Sequence, residues 1–309
     1  PASGVAQAFS LEVAGGTTTF TNDAFSTDLY TGNGSSQTIT NGLDLSTDGG
    51  LVWERPRISS DHWLWDSARG PQYSLATNTT SPQSDMGANG TLLTSTGFTS
   101  RMGWGSGTPI VSWSFRKASK FFDVVTYTGT GGPARTVNHS LGSVPGMIIV
   151  KQASATGEPW LVQHRYNTTK KLRLNTTSAE SDGDDGFGNT APTSSVFTVK
   201  YNGANKSGET YVAYLFAHDT ASDSRIKCGT FTTVGAVASI NLGWEPQFVI
   251  FKKTNGVEPW FMLDSQRGLS KVLRPNTSDA EITTNVWEPT STGFDVLNLS
   301  TTAPYIYMA

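Results

Sequence analysis

The chain has 309 residues, only 15% of them charged, and its 22 Lys and Arg nearly balance 25 Asp and Glu for a net charge of -3. Globular chains typically carry about 25% charged residues, so this surface is polar through Ser, Thr, Asn and 32 Gly rather than through charge. There is no basic field to hold a phosphate backbone, which argues against nucleic acid as a partner, and apolar runs such as Met147-Ile148-Ile149-Val150 are far too short for a membrane span of about 18 residues.

Residues 1–25 read as a leader. Pro1-Ala2-Ser3-Gly4 offers neither an initiator Met nor a basic stretch followed by an apolar one. Tyr305-Ile306-Tyr307-Met308 stops within a strand pattern, so the sequence is expected to lie inside a longer product. From Ser26 onward the chain repeats itself, and the repeat sets the domain reading. Tyr30-Thr31-Gly32 returns as Tyr127-Thr128-Gly129 and, more loosely, as Phe231-Thr232-Thr233. Leu141-Gly142-Ser143-Val144-Pro145 with Ile148-Ile149-Val150-Lys151 returns as Leu242-Gly243-Trp244-Glu245-Pro246 with Val249-Ile250-Phe251-Lys252. Asp66-Ser67-Ala68-Arg69-Gly70 matches Asp264-Ser265-Gln266-Arg267-Gly268, where the middle copy has His164-Arg165. Asn78-Thr79, Asn175-Thr176 and Asn276-Thr277 follow, then Thr94-Ser95-Thr96-Gly97-Phe98 with Thr290-Ser291-Thr292-Gly293-Phe294. Landmarks in constant order divide the chain into units at 26–120, 121–222 and 223–309.

The elements within each unit are short runs of β-branched and aromatic residues punctuated by Gly, Asn, Pro and Ser, which predicts an all-β fold of three tandem β-sandwich, jelly-roll-like modules. Helical turns are few. The best candidates are Thr177 with Glu180 and Ser278 with Glu281, spaced as capping boxes. The lone Cys228 cannot form an intrachain disulfide, so packing must supply stability.

Chemistry is sparse. His62, His139, His164 and His218 do not recur across the units, and no nucleophile elbow is present, so no catalytic residue is assigned and the chain is read as a non-enzyme. Asp182-Gly183-Asp184-Asp185-Gly186 lacks the spacing of an EF-hand and reads as a solvated turn, so no metal or other cofactor is assigned. Asp66 with Arg69, and Asp264 with Arg267, read as ion pairs pinning a loop. Nine Trp are generous, and those flanked by Gly, Pro or acidic residues are candidates to stack on sugars. Trp104, Trp160 and Trp260 are the candidate glycan contacts, although the repeated Glu-Pro-Trp reads more as a packing anchor than as a binding platform.

Taken together, Tyr-Thr-Gly, Leu-Gly-x-x-Pro with its aliphatic strand and Lys, Asp-Ser-x-Arg-Gly, Thr-Ser-x-Gly-Phe and the closing aromatic strand resemble the tandem β-sandwich module of tail-associated structural proteins of tailed phages, notably marine cyanophages. The resemblance runs from about Phe25 to the last residue. It implies a virion protein of the phage tail, a fibre or appendage component for host adsorption. It would assemble with other virion proteins and copies of itself, and contact a glycan or protein receptor on the host surface. The alternatives are a head-decorating protein, a polysaccharide-degrading tail enzyme and a bacterial surface adhesin.

Overall fold

The computed structural model describes residues 23–221, 224–299 and 302–309; of the leader, residues 1–22 lie outside the described residues. The first strands are β1 (Phe25–Thr31), β2 (Gln37–Thr40), β3 (Gly50–Pro56), β4 (Trp63–Asp66), β5 (Tyr73–Ala76), β6 (Ser84–Asp85), β7 (Leu92–Thr94), β8 (Gly97–Ser100) and β9 (Pro109–Arg116). Then come β10 (Phe122–Thr128), β11 (Arg135–Asn138), β12 (Pro145–Gln152), β13 (Leu161–His164), β14 (Lys170–Arg173), β15 (Ser181–Asp182), β16 (Val196–Val199) and β17 (Thr210–Ala217), with the short helices α1 (Asp184–Phe187) and α2 (Tyr201–Asn205). The last are β18 (Cys228–Thr233), β19 (Val237–Asn241), β20 (Phe248–Lys253), β21 (Phe261–Asp264), β22 (Lys271–Val272), β23 (Ile282–Thr283), β24 (Trp287–Thr290), β25 (Gly293–Leu297) and β26 (Ala303–Met308).

The fold is all-β and antiparallel. Three large sheets have the strand orders β1-β9-β3-β4-β5-β6, β10-β17-β12-β13-β14-β15 and β18-β26-β20-β21. In each, the opening strand pairs with the closing one, which in turn pairs with the strand of the long apolar run. Smaller sheets, β2-β8-β7, β11-β16 and β19-β25-β24, accompany them in sandwich fashion. No helix among the described residues is long and apolar enough to cross a membrane.

The apolar runs are continuous rather than alternating because the large sheets are covered on both faces. Every residue of β3 and of β12 is buried. On β3, Val52 faces a core with Trp65, Leu93 and Phe98 that ties the first large sheet to its small one. Its neighbours Leu51 and Trp53 point the other way, into a core that also holds Phe122, Met147 and Tyr214 of the second sheet and Phe248, Met262 and Met308 of the third. The three large sheets thus share one aromatic centre, where Phe115 meets Phe216 at 5.3 Å and Phe248 at 5.8 Å between ring centroids.

Two repeated landmarks acquire a physical reason here. Asn78, Asn175 and Asn276 each accept on Oδ1 the backbone N–H of the residue before a central strand, at His62, Trp160 and Trp260. Gly97 and Gly293 lie so close to the neighbouring strand that a Cβ would stand 2.2 Å from the Ile39 carbonyl oxygen and 1.8 Å from that of Ile240. The expected capping boxes do not form. Residues 177–180 and 278–281 are not helical; the N–H groups of Glu180 and Glu281 instead donate to the carbonyls of Thr254 and Arg57, so a bond to another sheet's loop replaces the local turn.

Candidate functional site

Of the three candidate glycan contacts, Trp104 alone keeps exposed surface. It lies in the loop between β8 and β9, half-buried, with Nε1 donating to Glu54 Oε1 at 2.8 Å. Trp160 and Trp260 are 0% and 1% exposed, so neither ring has a face left for a sugar. Their indoles bridge between sheets instead. Trp160 Nε1 donates to the carbonyls of Ala76 and Thr79 at 3.1 Å, and Trp260 Nε1 to that of Arg173 at 3.0 Å. His62 holds the corresponding place before β4, where its Nδ1 accepts from Trp53 Nε1 at 3.1 Å. Trp65 and Trp287 are also fully buried.

These contacts run in one direction around a closed ring. Gly157 N donates to Thr80 O, Glu258 N to Thr177 O and Ser60 N to Ser278 O. Gln83 N donates to Ala153 O, Glu180 N to Thr254 O and Glu281 N to Arg57 O. Each large sheet therefore meets the next head to tail, and the third closes on the first. A bidentate pair of Arg57 with Glu281, at 2.7 and 2.9 Å, seals the closing seam.

A buried cation stands at one place in each large sheet. Arg55, Lys151 and Lys252 are all 0% exposed, and each donates to backbone carbonyls. Lys151 Nζ donates to Thr80 O at 3.1 Å and Glu158 O at 2.9 Å, Lys252 Nζ to Lys253 O at 2.7 Å, and Arg55 to Ile58 O at 3.1 Å and to Asp279 O. Burial pulls both lysines down to about 8 and Arg55 to about 10. The sequence signal was available: a lysine ending an apolar run recurs at Lys151 and Lys252.

The polar residues considered for chemistry have structural partners. The Asp66–Arg69 and Asp264–Arg267 ion pairs form at 2.6 Å, out of solvent. His164 is buried and held at about 3 by desolvation, with Nε2 against Tyr307 O at 3.1 Å. His139 Nδ1 accepts from Leu141 N, and His218 Nδ1 from Cys228 N. In the acidic turn, Asp184 pairs with Lys200 and Asp185 with Lys171. Among the described residues no cluster of three His, Cys, Asp or Glu is placed to hold a metal ion. Glu54 is the acid that sequence reasoning missed. It is wholly buried, its pKa is raised by desolvation, and Tyr30, Ser100 and Trp104 all donate to its Oε1. No local sequence pattern marks it, because its partners come from two distant stretches, Tyr30 and Ser100 with Trp104.

One cavity of about 170 Å³ lies beside the end of β26, walled by Phe25, Phe115, Phe121, Ile226, Phe248 and Met308. All six belong to the core shared by the sheets, and Arg225, Glu245 and Gln247 line the outer side, so the space is a surface recess floored by that core.

Residues 21–309 match the family described as "Domain of unknown function (DUF7483)", and the chain belongs to that family. The matched span takes in all three large sheets. The curated proteins include no match to the chain.

Proposed function

We propose that this chain is a structural protein of a tailed-phage virion, a tail fibre or appendage component acting in host adsorption, built of three tandem modules at 26–120, 121–222 and 223–309. The observation that supports it is the head-to-tail closure of three large sheets around one aromatic centre. A single chain thereby acquires the threefold outline that symmetric assemblies build from three copies. Its weakly charged, Gly- and Thr-rich exterior and the repeat landmarks fit the same reading. Other virion proteins and copies of itself are its partners on the particle. Trp104 is its contact for a host glycan, since a part-exposed indole in a polar loop can stack on the apolar face of a sugar.

The test is a reconstruction of the virion at side-chain resolution, followed by adsorption of purified protein to host cells. Density for the chain on the tail, with the Trp104 loop outward and cell binding weakened by Trp104→Ala, supports the reading. Density on the capsid makes the chain a head decoration, and absence from the particle ends the virion reading.

A further inference from the structure

Three strands face equivalent positions across the sheets: Trp113 opposite Trp53, Tyr214 opposite Ile149, and Met308 opposite Ile250. Two of them reach across a seam by a hydrogen bond. Tyr214 OH donates to Asp66 Oδ2 at 2.8 Å, and Trp113 Nε1 to Asp264 Oδ2 at 3.0 Å. In both seams an arginine completes the group, Arg69 on Asp66 and Arg267 on Asp264, with Arg267 also lying 5.3 Å from the Trp113 ring centroid. In the third seam all three members change together. The strand residue is Met308, which has no N–H or O–H to give. The aspartate is replaced by His164 and the arginine by Asn167. His164 meets the neighbouring strand through Tyr307 O instead.

We infer that these nine positions form a recognition code that selects one of the two cyclic orders three sandwiches can take. In the observed order β17 meets Asp66, β9 meets Asp264 and β26 meets His164. The opposite order would set Met308 against Asp66, leaving a buried carboxylate short of a donor, and Trp113 and Tyr214 against His164 and Asp264. A buried polar group without its partner is penalised far more than a satisfied one is rewarded, so a single mismatched seam disfavours the wrong ring. The Met308–Asp66 seam is the repulsive element, and the shared aromatic centre, which either order could bury, supplies the attraction. This inference concerns how the chain closes on itself and stands whether or not the protein belongs to a virion.

The experiment is a substitution and rescue series in the full chain, read by thermal unfolding. His164→Asp places a carboxylate opposite Met308 and is expected to lower the midpoint by about 5 °C or more. Adding Asn167→Arg and Met308→Tyr rebuilds the Asp66–Arg69–Tyr214 arrangement in the third seam and is expected to recover at least half of the loss. A triple variant no more stable than His164→Asp alone overturns the code. Should neither variant fold, Tyr214→Phe decides: it removes one hydroxyl donor and leaves Asp66 buried, so its midpoint falls if the code holds, and an unchanged midpoint overturns it.

Discussion

The phenol of Tyr214 donates a 2.8 Å hydrogen bond to Asp66, a residue 148 positions earlier in the chain, whose other partner is Arg69. A bond of that span makes each sheet part of its neighbour's interior, and the stability of the chain should reflect the ring as a whole.

Trp160 and Trp260 should behave as anchors of that ring. Replacing either by Ala opens a large cavity and frees the carbonyls of Ala76 and Thr79, or of Arg173, at a cost of about 3–5 kcal/mol. Urea unfolding measures it. A loss below about 1 kcal/mol would show that the indoles are not packed as described.

Acid should weaken the fold through its histidines. Burial holds His62, His139, His164 and His218 below the ordinary 6.5. As pH drops through that value, the unfolded chain takes up protons on these rings before the folded chain does. Stability is therefore full above pH 6.5 and declines from there toward the folded value of His164, about 3. Asp28, Glu54 and Glu180, raised by burial, oppose this, while Asp44, Asp182 and Glu209, held low by hydrogen bonds, add to it. The urea midpoint at pH 5 should lie below that at pH 7, and equal midpoints would contradict the account.

Mild alkali should do the reverse. Lys151 and Lys252 titrate at about 8 in the folded chain, against 10.5 when unfolded. Between those values the unfolded chain binds more protons, so stability rises with pH across that window. Midpoints at pH 8 and 9.5 should show the increase, and Lys151→Met with Lys252→Met should flatten it.

Gly293→Ala drives a methyl into the Ile240 carbonyl, and the β19–β25 pairing must shift to accommodate it. The expected loss is about 1–3 kcal/mol. Amide exchange should quicken at Ile240 and Phe294, and unchanged protection there would refute the close approach.

Much of this architecture could be read from the chain. Short β-branched and aromatic runs between Gly and Asn clusters gave an all-β fold, because strand propensity and turns depend on neighbours in sequence. The Asp-Ser-x-Arg spacing gave the Asp66–Arg69 pair for the same reason. What failed was exposure. Glu-Pro-Trp reads as a packing anchor, but a glycan contact at Trp160 needs a surface the ring does not reach: its Nε1 donates to Ala76 and Thr79, 84 and 81 residues away. The turn at Thr177 and Glu180 failed likewise, since a carbonyl on Thr254 takes the N–H that a helix would have used.

Head-to-tail closure has a geometric corollary. A ring whose units all point the same way round has no twofold axis across it, so its two ends are different surfaces. Such a body carries an intrinsic up and down: one end can be fastened to a support while an unrelated set of loops is presented at the other, and neither arrangement requires a second kind of chain.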